Sequence, residues 1–192
     1  LGKPLKSILH GRADIPIYTG SIAPKGLALC GELCDGVLLT CMNPERSEVI
    51  TEHVEAGMDR ASAPKSLSTF DIAVSASVVI GDDLDACRRP LKAHLALYMG
   101  GMGARAKNFH NEYIARLGFE EAAKTVQELY LSGKKKAAIA AVPDALIDAL
   151  HLVGPRERIR DRLAAWRESP VTTLLVAAND IEAIRLIAEL NS

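Results

Sequence analysis

The sequence lacks an apolar run long enough to cross a bilayer, so a membrane span is not expected. It also lacks an excess of either charge. The 23 Lys and Arg are interspersed with 24 Asp and Glu for a net charge of −1, which leaves no electrostatic footprint for nucleic acid. Cysteine is scarce: Cys30, Cys34, Cys41 and Cys87 each stand in apolar surroundings and read as small buried hydrophobes, which points to a cytoplasmic compartment. Cys30 and Cys34 are four apart, but no His or further Cys nearby offers the remaining ligands, so no metal site is expected. There is no G-x-S-x-G elbow, and His10, His53, His94, His110 and His151 are scattered without triad or metal spacing. Nucleophilic catalysis is therefore not indicated. Internal repeats and low-complexity tracts are absent. The chain starts at Leu1 with neither a basic nor an apolar leader region, and reads as a piece of a longer chain.

What is present, with 48% hydrophobic residues in 192, suits one ordinary domain of α/β class. The stretch Ile15–Thr40 reads as a βαβ unit. Ile15–Thr19 and Gly36–Cys41 are short apolar runs of the kind buried on both faces of a parallel sheet, and Pro24 and Asp35-Gly36 bracket the helix between them. Phe70–Ile80 and Val171–Ala178 are further strands. Helices are predicted over Glu45–Arg60, from Asp82-Asp83 through Leu97 with Arg88, Lys92 and His94 toward solvent, from Phe119 to Tyr130, and from Val142-Pro143-Asp144 through Leu150. Two more start at Gly154-Pro155, with Ile159, Leu163 and Trp166 on one face, and at Asp180, bearing Ile181, Ile184 and Ala188. The stretch 100–152 is too long for a simple loop and reads as a helical insertion before the last strand.

The strongest candidate site is the turn after the first strand. A loop at the carboxyl end of a parallel strand and the amino end of a helix gathers unpaired N–H groups and the positive end of the helix dipole, so an anion, most often phosphate, is the expected guest. Thr19, Gly20, Ser21, Ile22 and Ala23 would supply donors, Gly20 close backbone approach, and Lys25 a charge-assisted bond. Thr40 ends the next strand at the same mouth. The Gly-Gly-Met-Gly of Tyr98–Gly103 follows a helix instead of a strand, fails the test for a dinucleotide fingerprint, and reads as a tight turn.

Ile15–Thr40 resembles the phosphate-loop region of the bacterial luciferase-like family, in particular its coenzyme F420-dependent branch with methylenetetrahydromethanopterin reductase. Tyr98–Gly103 followed by Lys107-Asn108-Phe109, Gln127–Tyr130, Ala141–Asp144, Leu152–Pro155 and Val171–Val176 agree with it in family order. The resemblance implies a (β/α)8 TIM barrel enzyme that moves a hydride to or from a deazaflavin or flavin. It maps the four strands onto the last four of a barrel that needs about 250 residues, so the chain is expected to be its C-terminal half. The implied cofactor is F420, with FMN and monooxygenase chemistry as the alternative. The acid or base is expected from the other half, which leaves the catalytic residues unknown here. Arg105 and Lys107 could reach the glutamate tail of F420, and Asn43 replaces a Lys found near this position in sugar-phosphate-oxidising relatives. Expected partners are a small-molecule substrate and, through open strand edges and an apolar inner face, further copies of the chain. A non-catalytic flavin-binding half-barrel is the reading from another class.

Overall fold

The computed structural model describes Gly2, residues 10–12 and residues 14–191; Leu1 lies outside the described residues. Among the described residues, five parallel strands form one sheet: β1 (Tyr18–Gly20), β2 (Gly36–Leu39), β3 (Asp71–Ile80), β4 (Leu152–Gly154) and β5 (Thr173–Ala177). β1 pairs with β2 and β2 with β3. The far side of β3 is shared, residues 73–77 pairing with β5 and residues 78–80 with β4. This parallel α/β architecture is the one expected. β4 was not: its three residues are too few to carry a period, and it owes its place to the free upper end of the long β3.

The helices are α1 (Pro24–Leu33), α2 (Glu48–Met58), α3 (Leu84–Gly101), α4 (Phe109–Ile114), α5 (Glu120–Leu131), α6 (Lys135–Ala140), α7 (Asp144–Leu150), α8 (Arg156–Glu168) and α9 (Ile181–Leu190). Capping fixes several starts: Asp83 accepts from the N–H groups of Asp85 and Ala86, and Asp180 from that of Glu182. α1 and α2 approach closely because Gly31 has no side chain; a Cβ there would lie 2.0 Å from the Val54 carbonyl oxygen.

The core lies between the sheet and these helices. Val37 and Leu39 of β2 and Ile72, Val74, Ala76 and Val78 of β3 face it with Leu27, Ile50, Val54, Ile159 and Trp166. The opposite face of the same strands is open, with Leu38 43% and Leu175 42% exposed. Strands buried on both faces were expected, and that expectation is corrected. Five strands covered by helices on one side do not close around an interior, so alternate residues stay uncovered. β1 is likewise shorter than Ile15–Thr19, and Ile15 and Ile17 are exposed.

Three helical assignments also change. Arg88 is buried instead of solvated, because α7 brings Asp148 against it in a two-pronged ion pair (Nε to Oδ1 2.9 Å, Nη2 to Oδ2 2.7 Å) with Asp144 beside it. Gly100 and Gly101 are helical, not a turn, and make room for the Tyr130 ring of α5. The buried stripe of α9 is Ala183, Leu186 and Ile187, while Ile181 and Ile184 are exposed.

Candidate functional site

At the carboxyl end of the sheet the chain turns from β1 into α1. Ala23 is the residue before the helix, extended and without a side-chain cap, and Pro24 has no N–H to offer. The N–H groups of Lys25 and Gly26 consequently find no acceptor among the described residues. No acidic side chain stands in the first turn, so the positive end of the helix is uncompensated. Ser21 folds its hydroxyl over Gly26, where a Cβ would lie 2.1 Å from Ser21 Oγ.

Gly20, Ser21, Ile22 and Ala23 line a cavity of about 360 Å³ with Leu38, Thr40, Phe109 and His110. Five of the seven residues singled out from sequence thus meet in one place. Gly20 belongs to the open face, opposite Leu38, and a Cβ on it would touch only the Leu38 carbonyl at 3.7 Å and otherwise project into the cavity. Thr19 pairs with Val37 on the helix-covered face, so its side chain points away, toward Cys30. Lys25 is exposed and outside the cavity lining.

α4 and the wide turn after it roof this region. The Tyr113 hydroxyl donates to the Cys41 carbonyl at 3.1 Å, and Arg116 donates from Nη2 to the Ile22 carbonyl. Nε and Nη1 of Arg116 are buried without a partner among the described residues, and desolvation lowers its pKa. Sequence reasoning missed Arg116, which stands 94 residues from Ile22 and belongs to no motif.

Thr40 and His110 also border a second cavity of about 440 Å³, between β3, α3 and α4. Ser75 and Ser77 of the open face form its floor, with Cys41, His94, Tyr98, His151 and Asn179 around it. Tyr98 lies 4.6 Å from His94 with the rings tilted by 39° and meets His110 edge-on at 4.7 Å. Burial, with a smaller contribution from His94, lowers the pKa of both His110 and His151, the latter to about 4. Burial pushes the Cys41 thiol up to about 11, leaving it an unreactive thiol at neutral pH. Histidines that are scattered in the chain therefore converge in space, and nothing in their spacing signals it. Asn43 is buried and accepts from the N–H of Glu45, which makes it a cap. Arg105 and Lys107 are exposed beyond α3, with Lys107 Nζ 5.9 Å from the Phe109 ring centre.

The model of the luciferase-like monooxygenase family matches residues 3–173. The chain belongs to this family. It is 40% identical over 191 residues to the Mycobacterium tuberculosis protein named "Putative coenzyme F420-dependent oxidoreductase Rv3520c", covering 99% of this chain and 55% of that one. Over 165 residues it is 27% identical to the 5,10-methylenetetrahydromethanopterin reductase of Archaeoglobus fulgidus, covering 86% of this chain and 48% of the reductase. The coenzyme F420-dependent tetrahydromethanopterin reductase of Methanopyrus kandleri superposes with a TM-score of 0.68 at 27% identity over 92% of this chain and 50% of that structure. The resemblance to the F420-dependent branch of the family is thereby borne out. The chain spans about half the length of the curated relatives it matches, and its open sheet is part of a TIM-barrel-type fold.

Proposed function

We propose that this chain is part of an F420-dependent oxidoreductase that transfers a hydride between the deazaflavin and a small organic substrate. In this reading it contributes the C-terminal half of the barrel, with 100–152 as a helical insertion. The observation that carries the cofactor assignment is the uncapped start of α1. The N–H groups of Lys25 and Gly26 have no acceptor among the described residues, the residues just before them, Gly20 to Ala23, line a cavity into which a Cβ at Gly20 would project, and Arg116 is held against the Ile22 carbonyl beside it. That donor set fits a phosphate. Gly20, Ser21, Ile22 and Ala23 hold it, Thr40 supplies a hydroxyl at the far wall, and Thr19 contributes through its backbone. When bound, the deazaflavin supplies the hydride carrier. The chain's own residues orient it and exclude water.

A relative and a solved structure whose names carry F420 dependence favour the deazaflavin over FMN, which would present a phosphate to the same helix. The test is a spectroscopic titration of the full-length protein with F420 and, in parallel, FMN. Binding of F420 in clear preference to FMN is expected, and the reverse preference would move the protein to monooxygenase chemistry. Gly20→Val should weaken F420 binding at least about tenfold by filling the cradle. Lys25→Ala should cost no more than about threefold, because an exposed charge outside the cavity acts only through screened attraction. A homo-oligomer and a cytoplasmic location complete the proposal, and light scattering of the full-length protein reads the former.

A further inference from the structure

The larger cavity, adjoining the loop cavity at Thr40 and His110, holds an unusual combination of polarity without charge. None of the sixteen residues that line it is an Asp, Glu, Lys or Arg. His151, only 6% exposed, closes one end of it. The N–H of Ser77 donates to His151 Nδ1 at 3.2 Å, so the proton of the neutral ring resides on Nε2. Nδ1 is thereby occupied by the strand, and Nε2–H is the group the ring offers to the cavity, where it has no hydrogen-bond partner among the described residues. The other titratable groups facing the space are His94 and Tyr98 from α3, His110 and Tyr113 from α4, and Cys41 after β2. Tyr113 has spent its hydroxyl proton on the Cys41 carbonyl. A charged guest would lose hydration here without meeting a counter-ion among the described lining residues, whereas an uncharged ring would lie against Leu91, Leu95, Met99 and Tyr98 and satisfy the Nε2–H donor.

We propose that this cavity is the substrate pocket, that it selects an uncharged, ring-sized compound bearing a carbonyl or similar acceptor, and that His151 positions the acceptor by donating from Nε2. The proposal deepens the oxidoreductase reading and rests on it for the identity of the site, but its test has its own readout. Cyclohexanone and the anionic cyclohexanecarboxylate are titrated into the full-length protein without cofactor and followed by saturation-transfer NMR, with F420 titrated separately. The ketone should bind at least about tenfold more tightly than the carboxylate. His151→Asn keeps an acceptor for the Ser77 N–H but withdraws the donor from the cavity, and should weaken ketone binding about tenfold, one hydrogen bond's worth. His151→Gln reaches as far as Nε2 and should stay within about threefold of the wild type. Equal binding of the two probes, no binding of the ketone, or His151→Asn binding like the wild type would each overturn the pocket even if F420 binds. The expected ketone pattern in a protein that does not bind F420 would overturn the cofactor reading and leave the pocket standing.

Discussion

The two faces of the sheet are written in alternate letters of the same strands and have opposite fates. Leu39 is fully buried beneath the helices while its neighbour Leu38 is 43% exposed, and Val74 is buried beside the half-open Ser75. The helix face is satisfied by this chain alone. The open face carries what the core has no use for: Gly20, Thr40, Ser75 and Ser77 at its carboxyl end, all lining the two cavities, and at its foot a hydrogen-bonded cluster around Asp71. There Tyr18 reaches over Gly36, whose absent side chain leaves room for the ring, and donates to Asp71 Oδ2 at 2.8 Å, while Thr172 and Thr173 donate to Oδ1. One face stores stability and the other is built for contact.

That contrast can be broken by substitution. Leu39→Ala should cost about 2–5 kcal/mol, as a fully buried leucine does, and lower the urea midpoint accordingly. Leu38→Ala, one residue away, should cost no more than about 1 kcal/mol in this chain, and equal costs would mean the two faces are equally covered. The next effect is on acid stability. His151 titrates at about 4 when folded, against about 6.5 when unfolded, so the unfolded chain takes up the proton first. Its contribution is fully present above about pH 6.5 and disappears as the pH falls to about 4, a loss of about 3 kcal/mol. Denaturation midpoints measured across that window should fall for the wild type and flatten in His151→Asn. The smallest effect belongs to Asp71. Desolvation raises its pKa, but hydrogen bonds from Thr172, Tyr18 and Thr173 outweigh it and lower the value. This contribution is present above the unfolded carboxyl's pKa and is lost as the pH falls through the lower folded value. Asp71→Ala should cost about 1 kcal/mol at neutral pH, the hydrogen bonds being partly solvated, and a thermal scan at pH 7 reads it.

Much of the fold was legible because it follows from short-range rules. Pro24, Asp83 and Asp180 mark helix starts through backbone chemistry that needs no partner, and Ile159, Leu163 and Trp166 recur at the period that places them on one buried face. The turn from β1 into α1 was legible for the same reason, since a strand, a glycine and a helix start are consecutive. Arg88 was misjudged because its partners Asp144 and Asp148 come from another helix and are invisible to periodicity. Ile181 and Ile184 look like a helix face, yet α9 turns Ala183, Leu186 and Ile187 inward.

The sequence by itself determined the parallel α/β class, several helix starts and the uncapped turn into α1, because each depends on dihedral preferences, capping and spacing within a few residues. Only the tertiary structure decided which sheet face is covered, that Arg116 docks on the Ile22 carbonyl, and that His94, His110 and His151 share one uncharged cavity. Those outcomes depend on packing between segments tens of residues apart, where distance in the chain carries no information about distance in space.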